Sequence, residues 1–120
     1  MKTAPLHAVK QPDEPWVYHV GVPDLRDLQS YCGGYIEALR CSNGITLIFN
    51  EEGKFDERMT PNLLRTVGDI PFDYIVGPIV ALRYEYCSGE LVGLNEADIP
   101  VLTRWADERR FNEVYNGTES

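Results

Sequence analysis

Carboxylates are the most abundant groups in this chain that could do chemistry, and several of them lie close together. Residues 33–54 read GGYIEALRCSNGITLIFNEEGK and include Glu37, Asn50, Glu51 and Glu52. Carboxylate and amide oxygens are ligands that Mg²⁺ and Ca²⁺ prefer, although the spacing is not that of a calcium-binding loop. Three interpretations stay open, namely an acidic structural turn, a surface that recognises a partner, and a metal site.

Tyr35 adds an aromatic side chain to the same stretch. Tyrosine is amphipathic and often anchors protein interfaces, although a strand tyrosine also commonly packs against its cross-strand neighbour. The candidate partner-binding residues are therefore Tyr35, Glu37, Asn50, Glu51 and Glu52. The sequence assigns no catalytic residue and no metal ligand, and we expect no cofactor.

Other reactive side chains are few and lack a known arrangement. The chain contains two histidines, His7 and His19, and three cysteines, Cys32, Cys41 and Cys87, without a CxxC spacing. There is no phosphate-binding loop, GxSxG, HExxH or paired-cysteine zinc motif. We interpret His19 as a strand residue rather than a general base, and no basic neighbour in the sequence activates Cys87. The sequence therefore predicts that the protein is not an enzyme.

The charge of the chain limits its partners. Among 120 residues, 11 are basic and 19 acidic, which gives a net charge of −8. Such a chain repels nucleic acid and has no basic stripe, so direct nucleic-acid binding is disfavoured. A basic protein surface is the more natural partner, and ordinary solubility is the plain alternative. Because no apolar run is long enough for a membrane span or a secretion signal, we expect a cytoplasmic protein.

The elements that position these residues follow from local patterns. Prolines are frequent in residues 1–15, which predicts a flexible N-terminal arm. A single α+β domain is expected over residues 16–111, followed by a polar C-terminal tail over residues 112–120. Within this domain, Trp16–Val22 alternates as a strand does, and residues 25–32 carry the apolar stripe of a short helix with an acidic N-cap and a glycine end.

The sequence Asn43-Gly44 predicts a hairpin in the middle of the chain. This dipeptide favours a two-residue type I′ turn, which sets Glu37 opposite Asn50. Since side chains alternate along strands, Tyr35 and Glu52 are then expected on the same face as Glu37 and Asn50. That half-polar face should stay open, while the other face packs on helices.

The second half of the chain completes the predicted fold. We expect a short helix over residues 61–65, a loop over residues 69–73 and strand structure over residues 74–86. A last short strand over residues 90–94 precedes a final helix. Asn95 with Asp98 resembles a helix cap, but Pro100 lies deep for that cap, so a first turn over residues 95–98 and a helix from about residue 99 is an equal alternative. The predicted fold class is α+β, an antiparallel sheet of four to five strands with two main helices on one face.

Three short motifs resemble a known family. They are GGYIE at residues 33–37, NEEGK at residues 50–54, and Asn62 directly after a proline. They are similar to the signature of small acidic domains of unknown function that are common in phages and plasmids. The resemblance extends over residues 16–108. It implies a protein of a mobile element and no known activity, so it assigns no catalytic residues.

The expected function combines this resemblance with the acidic charge. We expect a non-enzymatic phage or mobile-element accessory protein that binds a host protein in the host cytoplasm. The expected partner is a component of a defence system, such as restriction or CRISPR machinery, that itself binds nucleic acid, and the expected outcome is inhibition. Two alternatives remain, a binding protein that sequesters a small molecule or signalling nucleotide, and a metal-dependent hydrolase that uses the glutamate cluster.

Overall fold

The apolar run at residues 79–82 forms the buried centre of the main sheet. The computed structural model describes residues 4–41, 43–68 and 70–110 of the chain. Its elements in chain order are β1 (Leu6–Lys10), β2 (Val17–Val20), α1 (Leu25–Cys32), β3 (Ile36–Arg40), β4 (Ile45–Asn50), a short 3₁₀ helix (Gly53–Phe55), β5 (Pro61–Val67), β6 (Ile70–Val76), β7 (Ile79–Glu85), β8 (Glu90–Val92) and α2 (Asp98–Glu108).

Every strand pair in the described ranges is antiparallel. Over these ranges the main sheet has six strands in the order β2-β1-β7-β4-β3, with β8 paired to the end of β7. Strands β5 and β6 form a separate two-stranded ribbon. An α+β fold with an antiparallel sheet is therefore confirmed, with more strands than the four to five predicted. Neither helix of the described chain is long and apolar enough to cross a bilayer.

The two helices pack against different sets of sheet residues. Side chains alternate along β7, so Ile79 and Ala81 face one side and Val80 and Leu82 the other. Residues of α2 belong to the core cluster of Ile79 and Ala81, together with the β5–β6 ribbon. Residues of α1 belong to the cluster of Val80 and Leu82. The prediction that both helices lie on one face is not confirmed, because a strand that is apolar on both sides needs cover on both.

Strand β1 lies inside the segment that the prolines predict to be a flexible arm. It pairs with β2 on one side and β7 on the other, and Ala8 and Val9 are buried. Pro5 precedes the strand and Pro12 follows it, so neither removes a donor from the ladder. Residues 6–10 are therefore part of the sheet. The predicted C-terminal tail, residues 112–120, lies outside the described residues.

The ribbon replaces a predicted helix and a predicted loop. Residues 61–65, expected to be helical, begin β5, and residues 70–73, expected to be a loop, begin β6. Proline is tolerated as the first residue of a strand, which is the place of Pro61. The β-prone run that follows divides at Gly77, whose φ of 87° allows the chain to turn from β6 into β7.

Helix α2 begins at Asp98, close to the predicted start near residue 99. The Asp98 carboxylate accepts a hydrogen bond from the Asn95 backbone N–H (2.7 Å) and is paired with the Arg83 guanidinium of β7 (2.6 Å). Leu102 and Trp105 are buried on the apolar face of the helix, as its sequence pattern predicts. The ion pair and the apolar face together fix α2 against the sheet.

The side chain of Asn62 joins the ribbon to the main sheet. Its amide nitrogen donates to the backbone carbonyls of Lys10 (2.9 Å) and Gly77 (2.8 Å), and its amide oxygen accepts from the Lys10 ammonium (2.6 Å). Asn62 is only 2% exposed. One buried amide therefore connects β1, β5 and the β6–β7 turn, and each of its polar atoms has a partner.

We predict that Asn62→Ala lowers the free energy of unfolding by about 3 kcal/mol, because the substitution leaves buried donors and acceptors without partners. Urea denaturation followed by circular dichroism measures the change. The matched control is Asn95→Ala at an exposed position, where the expected change is below about 0.5 kcal/mol. If the two variants lose equal stability, the Asn62 amide does not have this structural role.

Candidate partner-binding site

The end of α1 and the turn after β4 form one side of the candidate site. Helix α1 has the predicted limits, with Asp24 as N-cap in a capping box with Asp27. Gly33 ends the helix with φ of 78°, and its N–H donates to the carbonyl of Gln29 (2.8 Å). The chain therefore turns sharply at the double glycine and delivers Tyr35 next to the end of β4.

Asn50, one of the predicted binding residues, is engaged in structural hydrogen bonds. Its amide nitrogen donates to the carbonyl of Cys32 (3.1 Å), and its amide oxygen accepts from the N–H of Glu52 (2.7 Å). A Cβ atom at Gly34 would lie 3.1 Å from this amide nitrogen, so the glycine gives the amide room. Asn50 thus joins the end of α1 to the acidic turn, and the turn-forming tendency of asparagine was the sequence signal for this role.

The register of the β3–β4 hairpin differs by one residue from the prediction. Arg40 lies opposite Thr46, and the N–H of Cys41 donates to the carbonyl of Ile45 (2.8 Å). The N–H of Gly44 donates back to the carbonyl of Cys41 (3.0 Å), and Gly44 has φ of 91°. This is the three-residue hairpin connection with a glycine bulge, which an Asn-Gly sequence also satisfies.

The changed register separates the predicted residues. Ile36, not Glu37, lies opposite Asn50, and a one-residue shift moves side chains to the other face. The prediction that Tyr35, Glu37, Asn50 and Glu52 share one face is therefore wrong. All of the predicted residues do lie at the same end of the sheet, around two neighbouring cavities.

The larger cavity, of about 560 Å³, brings Tyr35 and Glu52 together with residues of the following loop. Tyr35 is 73% exposed and Phe55 is 87% exposed. We call the surface formed by Tyr35, Glu52, Phe55, Asp56 and Glu57 the acidic–aromatic surface. Phe55, Asp56 and Glu57 are not among the residues predicted from the sequence, although Phe55 within the polar run GKFDER is the pattern of an exposed aromatic residue.

The charge of this surface is negative. Among the described residues that line the cavity, Arg58 carries the only positive charge, and its guanidinium is engaged by both carboxylate oxygens of Asp56 at 3.0 Å. Hydrogen bonds from Arg58 hold the pKa of the Asp56 carboxyl below its usual range. No ion pair within the described ranges involves Glu52 or Glu57, so their charges face solvent without compensation.

The smaller cavity, of about 140 Å³, contains Glu37 and Glu51 beside a group of paired charges. The Asp73 carboxylate is paired with the Lys54 ammonium and lies 3.8 Å from the Arg65 guanidinium. The pKa of the Asp73 carboxyl is lowered overall. Partial burial raises this pKa, but hydrogen bonds from Lys54 and from a backbone N–H, together with the charges of Lys54 and Arg65, outweigh the effect of burial. The ion pairs beside this cavity thus join the 3₁₀ helix to the ribbon.

We predict that Asp73 stabilises the fold at neutral pH and loses this effect in acid. Its folded-state pKa is lowered, so its contribution is present above the unfolded pKa of about 3.9 and is lost as the pH falls through the folded value. Asp73→Asn should lower the free energy of unfolding at neutral pH by up to about 1 kcal/mol, the range for partly exposed ion pairs.

Urea denaturation of both proteins at neutral pH and at about pH 3 tests this linkage. The difference between wild type and Asp73→Asn should shrink in acid. Glu108→Gln is the control, since Glu108 is exposed and has no ion pair among the described residues. A difference that grows as the pH falls would contradict the sign worked out for Asp73.

The histidines and cysteines are spread over other parts of the fold. His7 is buried and its ring nitrogens contact the carbonyl of Gly21 (2.8 Å) and the hydroxyl of Tyr31 (3.2 Å), while His19 stacks on the His7 ring at 5.3 Å between centroids. Cys32 is buried and Cys87 is exposed. In the part of the chain that the structure describes, no group of three or more His, Cys, Asp or Glu side chains is placed to hold a metal ion.

We predict that thiol reagents modify Cys87 first in the folded protein. Burial raises the pKa of the Cys32 thiol to about 11 and raises that of Cys41 as well, so both are kept as unreactive thiols. Iodoacetamide at about pH 8 followed by peptide mass spectrometry measures each rate. In denaturant all three cysteines should react, and equal native rates at Cys32 and Cys87 would be inconsistent with this packing.

One family matches most of the chain. It is described as a domain of unknown function, DUF3846, and the match covers residues 6–108. The chain belongs to the DUF3846 family. The resemblance to a family of unknown function is thereby confirmed, and the matched region includes β1 at its start. No curated protein matches the chain, and no solved structure matches it.

Proposed function

We propose that this DUF3846 protein acts by binding a host protein through the acidic–aromatic surface, without catalysing a reaction. One observation carries the proposal: Tyr35 and Phe55 are 73% and 87% exposed beside the uncompensated carboxylates of Glu52 and Glu57. Large apolar side chains exposed next to each other are typical of protein interaction sites.

The chemistry of the surface defines the partner. Exposed aromatic residues supply the anchors that contribute most to binding free energy, because they bury a large area with few rotatable bonds. The surrounding carboxylates favour a partner surface rich in lysine and arginine. The net charge of −8 also attracts such a partner over long distances and accelerates association at low salt.

A basic partner surface of this kind is characteristic of proteins that bind nucleic acid. We therefore assign the partner to a nucleic-acid-binding component of a host defence system, such as restriction or CRISPR machinery, in the host cytoplasm. Occupation of its basic groove by the acidic–aromatic surface would exclude nucleic acid by direct competition. The small size and the acidic charge support this role as an accessory protein of a phage or other mobile element.

We predict that Tyr35→Ala/Phe55→Ala and Glu52→Lys/Glu57→Lys each abolish capture of the partner from a lysate of the host bacterium. Loss of one aromatic anchor should weaken binding by about 2 kcal/mol, or about thirtyfold in dissociation constant. Affinity capture with quantitative mass spectrometry identifies the partner, and surface plasmon resonance with the purified partner measures the change. The association rate should fall as salt is raised.

Glu85→Lys/Glu90→Lys is the matched control, because these exposed residues face each other on β7 and β8, away from the end of the sheet that carries Tyr35. It changes the net charge by the same amount. If both charge reversals weaken binding equally, the overall charge rather than this surface is responsible. The proposal fails if the wild-type protein captures no partner, or captures only proteins that both double variants of the acidic–aromatic surface still capture.

A further inference from the structure

Lys10 is a buried cation without a direct ion pair in the described part of the chain. Its side chain is 4% exposed, and its ammonium donates to the amide oxygen of Asn62 (2.6 Å) and, more weakly, to the carbonyl of Gln11 (3.4 Å). Both acceptors are neutral, and no carboxylate in the described part of the chain pairs with Lys10. Burying an ammonium without an anion is costly, so this position favours an anionic group from elsewhere.

A cavity of about 310 Å³ adjoins Lys10, between β1, β5 and α2. Lys10 and Asn62 are its most buried polar lining residues. Trp16 also lines it, and the indole N–H donates to the carbonyl of Leu102 (2.9 Å), which fixes the ring. Tyr18 also lines it, with its buried hydroxyl next to Thr103. Aromatic side chains beside convergent polar groups are found in small-molecule sites.

The opening of the cavity has the opposite charge. Asp13, Glu14 and Asp107 line it and are exposed, whereas Arg110 is the one exposed cation of the described lining. No ion pair within the described ranges involves these three acids. Burial lowers the pKa of the Lys10 ammonium. The charge of Arg110 lowers this pKa further, whereas the charges of Asp13 and Glu14 raise it. The cavity is thus cationic at its buried end and mainly anionic at its opening.

We propose that this cavity binds a small zwitterion, with its carboxylate on the Lys10 ammonium, its apolar stem along Trp16, and its own ammonium facing Asp13, Glu14 and Asp107. A phosphate or nucleotide fits less well, because the three acids at the opening repel a dianion and Arg110 alone offsets them. The assignment goes beyond the proposed function, since this cavity shares no lining residue with the acidic–aromatic surface.

A series of ω-amino acids of increasing length tests the charge separation. Glycine, β-alanine, γ-aminobutyrate and ε-aminocaproate are each titrated into the protein and followed by calorimetry. Each is compared with the carboxylate and the amine of the same length, and inorganic phosphate is a further probe. One member of the series should bind with a dissociation constant of about 1 mM or below, as expected for ligands of this size. Its matched carboxylate and amine should bind about tenfold more weakly.

Three variants locate the binding. Lys10→Met should abolish binding of the zwitterion. Asp13→Asn/Asp107→Asn should weaken binding of the zwitterion about tenfold. The matched carboxylate should bind to this variant as tightly as to the wild type, or more tightly. Lys54→Met removes a cation that does not line this cavity, and this variant should bind the zwitterion as tightly as the wild type does. Because Lys10→Met also removes a partner of Asn62, its fold is checked by circular dichroism, and the variant at the opening tests the proposal independently.

The proposal is overturned if no member of the series binds at up to about 10 mM, since a preformed site of this size should be occupied at that concentration. It is also overturned if phosphate binds more tightly than every zwitterion, or if the double variant at the opening weakens the zwitterion and the carboxylate equally.

Discussion

The buried amide of Asn62 is the interaction on which the arrangement of the two sheets depends. The ribbon of β5 and β6 shares no backbone ladder with the main sheet over the described residues. Its backbone bonds the end of α2, where the N–H of Leu64 donates to the carbonyl of Arg109 (2.6 Å), so side chains make its contact with the main sheet. Leu63 and Ile75 supply apolar contact with the core, which is not directional. The bonds of Asn62 to Lys10 and Gly77 supply direction, because their geometry is satisfied in only one orientation. They also hold the Lys10 ammonium beside its cavity.

Elements with a complete local signal could be predicted from the sequence. Helix α1 has its cap, its apolar stripe and its terminal glycine within ten residues, and the structure has the same limits. Strand β1 was missed because five residues between prolines carry little local signal, and pairing with β7 determines its structure. The hairpin register was wrong because Asn43-Gly44 suits two kinds of turn, and the local sequence does not distinguish them.

The sequence predicts that the candidate residues lie near one another, but not how they are arranged. Residues 33–54 do bring Tyr35 and the acidic turn to one end of the sheet, because a hairpin necessarily returns its two ends to each other. The structural role of Asn50 and the exposure of Phe55 depend on how α1 and the 3₁₀ turn pack there. Lys10 and Asn62 are separated by 52 positions in the chain, so no local pattern joins them.

The place of β1 in the sheet has a consequence for how the chain folds. Val9 pairs with Val80, and Leu6 with Leu94, so β1 can complete its pairing only after the long segment up to β7 has been synthesised. Contacts this distant in sequence make loop closure expensive and slow the search for the native state. During synthesis the β1–β2 pair exposes an open strand edge, which is a site for misassociation. The central position of β7 thus makes completion of the main sheet a late event in folding.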